Sequence, residues 1–269
     1  MSVSRSLNVP LVEVPPGPGT SEPGGYVTRL TLDPHQDLSA VSTATTEFLE
    51  AARGLDHAAV TEPSRLPNWT RGHVLSHLAR QADSLVNLLT WARTGEETPQ
   101  YPSARARDAD IDKGAGRPAR EQLADLRESA DRFAGAARAM PEQCWANQVV
   151  LRSGKVVAAA ELPWRRLVEL LFHRVDLGIG YTVEQFPADF TDRALAALVS
   201  GLHAREGVAA VRLHDPASDE RWDIGAAAEP EATVSGTRAA LLGWVSGRTA
   251  GEGLSNTPSG TLPRLPPLG

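Results

Sequence analysis

The sequence predicts an α+β protein with an N-terminal four-helix bundle and a smaller C-terminal α+β domain. Between residues 33 and 182, four long segments carry apolar residues at helical spacing, and capping or helix-breaking residues bound them. After residue 183, shorter segments of strand-like composition lie among two further helical patterns. A chain of 269 residues with 41% hydrophobic content can bury two such cores.

The first two bundle helices have clear start and stop signals. Asp33 is a suitable N-cap before Pro34 at the first helical position, and the apolar pattern continues until Gly54. Thr70 caps the second helix, whose broad apolar stripe runs to Gly95. These signals predict the first two helices of the bundle.

The third and fourth bundle helices follow a long connection. We expect residues 96–117, including Tyr101 and Arg107, to be loop, and the third helix to begin at Pro118. A short hairpin around Ser153-Gly154 then precedes a fourth helix between Glu161 and Gly178. Four helices joined with one long crossover make a bundle.

The C-terminal segment predicts a mixed domain. A helical pattern covers 188–206, strand candidates cover 208–213, 221–224 and 232–234, and a last helix covers 237–245. The Pro/Gly-rich residues 1–32 are expected to be a flexible leader, and the Pro-rich residues 257–269 an irregular tail. The predicted domains are thus 33–182 and 183–256.

Composition excludes several function classes. A net charge of -6 and a pI near 5.7 argue against nucleic acid or an anionic membrane as partner, and no apolar run is long enough to span a bilayer. The single cysteine, Cys144, excludes an intramolecular disulfide and a cysteine-rich zinc site. With no secretory pattern, we expect a cytoplasmic monomer that acts on a small-molecule substrate.

The most informative pattern is a candidate metal site. Glu169 and His173 are four residues apart on one helix, so they share a face, and His77 on another helix could complete a His2Glu set. Such a set leaves one position open and is typical of a catalytic zinc. Each residue taken alone is more often an ordinary core or solvated side chain. His73 is an alternative to His77, which we prefer because its neighbours are more apolar.

Two further residues near these positions have open interpretations. Cys144 could supply a sulfur nucleophile, but a cysteine beside Trp145 more often packs as a small apolar side chain, and we assign it no catalytic role. Asp176 could orient a metal ligand, or it could pair with Arg174 or sit as a charge at the helix end.

Several segments together resemble a known family. They are Trp69-Thr70-Arg71 through His77-Leu78-Ala79, Asn87 through Ala92, Thr94-Gly95-Glu96-Glu97-Thr98-Pro99 with Tyr101, Glu169 through Gly178, and Ser246-Gly247-Arg248 with Gly253. Over nearly all of residues 35–269 the chain resembles the mycothiol-dependent maleylpyruvate isomerases.

The resemblance implies a specific fold and activity. The fold would be a DinB-like four-helix bundle followed by a sterol-carrier-like α+β domain, with zinc held by His77, Glu169 and His173. The family uses mycothiol as cosubstrate to convert maleylpyruvate to fumarylpyruvate in gentisate breakdown, through a zinc-bound thiolate. Arg248 matches the arginine that the family places at its site, where it would bind a substrate carboxylate. From its own sequence context Arg248 would be a solvated loop residue.

Two positions depart from the family pattern, and two other functions remain open. Gln81 stands where an asparagine is expected, and Gln100 stands where a methionine is expected. A mycothiol S-transferase acting on other electrophiles would keep zinc and thiol without needing Arg248. A non-catalytic metal- or ligand-binding protein would use zinc only to tie helices together.

Overall fold

The computed structural model describes residues 32–203, 205–226, 229–258 and 260–266. They fall into two compact units that divide between Gly180 and Tyr181. The predicted leader, 1–32, lies outside the described residues except for Leu32. Six helices of the first unit are described: α1 Pro34–Arg53, α2 His57–Thr61, α3 Arg71–Thr94, α4 Ala104–Ala115, α5 Ala119–Arg138 and α6 Leu162–Asp176.

The predicted caps form as the sequence indicates. The Asp33 carboxylate accepts hydrogen bonds from the backbone N–H groups of His35 and Gln36, which fixes the start of α1. The Thr70 hydroxyl accepts from the backbone N–H of His73 at the start of α3, and Gly95 ends that helix with φ 76°. These local bonds satisfy backbone groups that the helices cannot pair internally.

The four long helices form the predicted bundle. Helices α5 and α6 each pack against both α1 and α3, so α1 and α3 stand at opposite corners. Leucine and phenylalanine side chains fill the space between them, each contributing about 1.5–3 kcal/mol by burial. The most deeply buried include Phe48, Leu75, Leu78, Leu85, Leu88, Leu126, Phe133, Leu162 and Phe172.

Helix α4 corrects the prediction of a loop before Pro118. Its sequence is highly charged and offers one large buried aliphatic, Ile111, so the apolar pattern of a helix is missing. The Ser103 hydroxyl caps it by accepting from the backbone N–H of Ala106. Tertiary contact with α3 then stabilises a helix that periodicity alone does not reveal.

Glycine lets α4 approach α3 closely. A Cβ on Gly114 would lie 2.1 Å from the Ser76 Oγ, and a Cβ on Gly72 would lie 2.8 Å from the Ala115 carbonyl oxygen. Either contact would push the helices apart. This close packing places the first turns of α4 beside the part of α3 that carries His77.

A short hairpin precedes α6, as predicted. Strands β1 Gln148–Val150 and β2 Val156–Ala158 are antiparallel, and Gly154 in the connecting turn has φ 85°. Helix α6 then starts at Leu162 with Pro163 in its first turn.

The second unit is α+β, in agreement with the predicted fold class. Its strands pair in the order β4-β3-β5-β6, with β3 and β5 parallel and the other neighbours antiparallel. Helices α7 and α8 pack against each other, and α7 also packs against β4. The elements are α7 Ala188–Leu202, β3 Val211–Asp215, β4 Glu220–Ile224, β5 Ala232–Ser235, α8 Arg238–Val245 and β6 Ser255–Thr257.

Some boundaries in this unit differ from the predictions. Strand β3 begins at Val211 rather than residue 208, and α7 ends at Leu202 rather than residue 206. Strand β6 was missed because Ser-Asn-Thr has no apolar alternation, and pairing of Asn256 with Val234 of β5 creates it. Residues 260–266 have neither helix nor strand. Among the helices described, none has the length and apolar content needed to cross a membrane.

Candidate metal centre

Helices α3 and α6 bring the three predicted ligands together. His77 Nε2 lies 2.9 Å from Glu169 Oε2, and His173 Nε2 lies 3.0 Å from the same oxygen. One ligand atom from each residue lies within 4.8 Å of the others. Ligands bound about 2.0–2.1 Å from a tetrahedral zinc are about 3.3 Å apart, so this spacing needs only small adjustment to hold an ion.

The environment of His173 fits metal binding. Its Nδ1–H donates to Asp176 Oδ2 over 2.9 Å, and both side chains are almost fully buried. Its Nε2 is buried and, among the described residues, makes no hydrogen bond of proper geometry, despite the short distance to Glu169. A buried polar atom without a directional partner is costly. A histidine whose far nitrogen donates to a carboxylate is the usual arrangement of a metal ligand.

The ring of His77 is held on three sides. It meets the ring of His173 edge to face, with centroids 4.7 Å apart, and lies 5.4 Å from the ring of Trp69. Its Nδ1 accepts a hydrogen bond from Arg107 over 3.2 Å. A guanidinium can only donate, so Nε2 of His77 carries the proton and donates it to Glu169.

The three groups have strongly shifted pKa values. Burial lowers the pKa of His77 to about 4, although the hydrogen bond to Glu169 opposes the shift. Burial also acts to lower the pKa of His173, but the carboxylates of Asp176 and Glu169 outweigh it and raise that pKa to about 9. Burial acts to raise the pKa of Glu169, yet the two histidines hold it well below its usual value. The metal-free site is therefore an ion pair of Glu169 and His173 beside a neutral His77.

His73 and Cys144 have other roles in the structure. His73 is the partner of Thr70 in the capping box at the start of α3, with its Nδ1 accepting from the Thr70 backbone N–H over 3.1 Å. His73 thus lies outside the cluster that His77 forms with Glu169 and His173. Cys144 is buried in a short 3-10 helix, Glu142–Ala146, where it packs as a small side chain.

Sequence reasoning missed two residues that complete this part of the site. Arg107, on α4, is 2% exposed, and its guanidinium lies 5.8 Å from the centre of the Tyr101 ring. Burial raises the pKa of Tyr101, so its phenol stays protonated. Both lie in the stretch predicted as loop, which is correct for Tyr101 and wrong for Arg107, and the Ser103 cap is the local signal that could have placed Arg107 on a helix.

A second buried arginine lies one turn before Glu169. Arg166 is fully buried and donates from NH1 to the Leu78 carbonyl and to Gln81 Oε1, over 2.8 and 2.7 Å. Its Nε and NH2 atoms have no hydrogen-bond partner among the described residues. Burial lowers its pKa to about 10, against the opposing charge of Glu169. Gln81, one of the two departures from the family pattern, thus anchors this guanidinium.

The other departure, Gln100, joins the connection after α3 to the hairpin. Its Oε1 accepts from the backbone N–H of Arg152 over 2.6 Å, and its Nε2 donates to Ser84 Oγ over 3.4 Å. Methionine could make neither bond. The position is structural in this chain.

Arg248 belongs to the second unit. It follows α8 in the turn Ser246-Gly247-Arg248, where Gly247 has φ 72° and Arg248 NH1 donates to the Ser246 carbonyl over 2.9 Å. The side chain is half-buried. Its predicted contact with substrate stays a prediction.

Family models cover both units. Residues 41–178 match the model described as the mycothiol maleylpyruvate isomerase N-terminal domain, and residues 185–267 match its C-terminal domain. The chain belongs to the mycothiol-dependent maleylpyruvate isomerase family. A solved structure named as the mycothiol-dependent maleylpyruvate isomerase is 29% identical, with a TM-score of 0.82, covering 87% of this chain and 96% of that one. A histidine-to-alanine mutant of that isomerase matches equally well. No curated protein sequence matches significantly.

Proposed function

We propose that this protein is a zinc- and mycothiol-dependent cis-trans isomerase that converts maleylpyruvate to fumarylpyruvate. The observation that carries the proposal is the cluster of His77, Glu169 and His173, with Asp176 orienting His173, in a member of this isomerase family. A donor set of two imidazoles and one carboxylate, without cysteine, suits a catalytic zinc.

The chemistry requires a sulfur nucleophile at neutral pH. A divalent cation held by these ligands would lower the pKa of a thiol at its open position. The thiolate adds to the double bond of maleylpyruvate, and the electron pair moves onto the conjugated keto oxygen. Rotation about the resulting single bond follows, and the returning pair re-forms the double bond as trans while the C–S bond breaks. The thiol is regenerated unchanged.

Two residues of this chain support that reaction, one by orienting a metal ligand and one by its charge. Asp176 fixes the orientation of the His173 ring, so that Nε2 faces Glu169 and His77. Arg166, buried one turn from Glu169, adds a positive charge close to the cluster.

The test is a direct assay with and without the thiol. Zinc-loaded protein should convert maleylpyruvate to fumarylpyruvate only when mycothiol is present. The Glu169→Gln variant should lose the activity, and Asp125→Asn should retain it, because Asp125 pairs with Arg80 and Arg117 instead of the cluster. The proposal fails if mycothiol produces no conversion by the wild-type protein.

We propose that Arg248 binds a substrate carboxylate, and this separates the isomerase from an S-transferase. Guanidinium groups bind carboxylates through two parallel hydrogen bonds. Arg248→Ala should sharply reduce isomerisation of the dicarboxylate while zinc content stays the same. Equal activity of the variant on maleylpyruvate, or faster thiol transfer to a neutral electrophile than isomerisation by the wild type, would favour the S-transferase.

A further inference from the structure

We propose that Arg107 is a carboxylate-binding residue next to the metal ligands, and that metal loading frees its guanidinium for this task. The inference rests on the proposed function for the identity of the carboxylate, which is one end of the dicarboxylate substrate. It assigns the first unit its own substrate-binding residue, independent of Arg248.

The first argument is the mismatch between Arg107 and its present partners. The side chain is 2% exposed, so its charge is almost completely removed from water. NH1 pairs with Asp108 over 2.7 Å, but that carboxylate is 47% exposed and therefore largely hydrated. NH2 donates to the imidazole of His77 over 3.2 Å, and the guanidinium also interacts with the Tyr101 side chain, but neither of these partners offers a carboxylate. A buried guanidinium gains most from a carboxylate that accepts two parallel bonds.

The second argument concerns the proton on His77. In the metal-free site, Nδ1 of His77 accepts from Arg107, so the ring proton is on Nε2, facing Glu169. A metal bound at Nε2 requires the proton of the neutral ring to be on Nδ1. Two donors would then face each other across 3.2 Å. The Arg107 NH2 group must turn to another acceptor, and a substrate carboxylate supplies one.

The third argument is the charge balance among the described residues around the cluster. Arg107, Arg152 and Arg166 all interact electrostatically with the site, and the carboxylates of Glu169, Asp176 and Asp108 offset them. Once both histidines bind a divalent cation as neutral imidazoles, these three arginines and three carboxylates balance, and the cation adds two positive charges to them. One thiolate and one carboxylate restore neutrality, which matches a thiol cosubstrate and an anionic substrate group.

The test measures binding of maleate, a simple cis-dicarboxylate, by calorimetry on zinc-loaded protein without thiol. Arg107→Met should weaken maleate binding at least tenfold. Arg107→Lys, which keeps the charge but not the planar fork, should weaken it at least threefold. Arg132→Met is the matched control, since Arg132 forms an exposed ion pair with Asp83, and it should bind maleate as the wild type does.

Zinc affinity is a second measurement. The proposed role and a purely structural role of Arg107 predict changes of zinc affinity in opposite directions. Without maleate, Arg107→Met should bind zinc at least threefold more tightly, because a positive charge and the competing hydrogen bond to His77 are gone. A structural arginine would instead lower zinc affinity when removed. Maleate should raise zinc affinity in the wild type more than in the variant, by reciprocity of coupled binding.

The outcomes separate this inference from the proposed function. It is overturned if wild-type protein does not bind maleate, if Arg107→Met binds maleate unchanged, or if its zinc affinity falls. Arg107-dependent maleate binding without any conversion of maleylpyruvate would support the inference and refute the isomerase activity. If the protein converts maleylpyruvate but its maleate binding does not depend on Arg107, the isomerase activity is supported and this inference is refuted.

Discussion

Replacing Asp176 by asparagine should weaken zinc binding ten- to a hundredfold. The carboxylate accepts the Nδ1–H of His173 over 2.9 Å, and the two side chains are only 2% and 1% exposed, so water cannot replace the bond. Asparagine can still accept this proton, but the charge that makes the ring a stronger ligand is lost. Such a loss in affinity corresponds to about 1.4–2.7 kcal/mol.

The assay is competition for zinc against a chromophoric chelator at one fixed pH. Asp125→Asn is the control, because it makes the same chemical change at a carboxylate that is 17% exposed and whose partners are Arg80 and Arg117 instead of the metal cluster. Its zinc affinity should be unchanged even if it unfolds at a lower temperature. Equal zinc affinities for Asp176→Asn and wild type would refute the conclusion that the negative charge of Asp176 strengthens His173 as a zinc ligand.

Four further outcomes are expected, three at the metal cluster and one at Cys144. Glu169→Gln should lower zinc affinity at least a hundredfold in the same competition assay, since the only anionic ligand of the set is removed. Because the pKa of His173 is raised to about 9 in the metal-free protein, zinc must displace its proton, and apparent zinc affinity should rise about tenfold per pH unit between 6.5 and 9. Over the same interval the free energy of unfolding of the metal-free protein should fall, as the stabilising proton on His173 is lost with rising pH; urea titrations that show a rise would contradict this. Cys144→Ala should leave isomerisation unchanged and cost about 1 kcal/mol in unfolding free energy, because the thiol is buried and the reacting sulfur comes from mycothiol; loss of activity in a folded variant would reverse that assignment.

The bundle helices were largely predictable because their signals are local. Asp33 with Pro34, Thr70, and Gly95 act through hydrogen bonds or backbone conformations that span a few residues, and the structure has each of them in its expected role. Helix α4 was not predictable by the same means. Its sequence lacks an apolar stripe, and its stability depends on contact with α3.

The metal cluster was partly predictable from the sequence. The pair Glu169 and His173 follows from helical periodicity. The residues alone offered His77 or His73 as the third ligand, with His77 preferred for its apolar neighbours, and the family resemblance implied the set with His77. Neither route indicated Arg166 or its contact with Gln81, since arginine in a sequence is normally expected at the surface.

The sequence by itself determined where the long helices begin and end, which two ligands share a helix face, and that any metal must be bound without a cysteine cluster. Tertiary structure alone decided that His73 serves as a capping residue while His77 joins Glu169, that Asp176 bonds to His173, and that Arg107 reaches the site. The reason is physical: caps and periodicity depend on neighbours along the chain, whereas burial and close approach, such as that of Gly114 to Ser76, depend on residues distant in sequence.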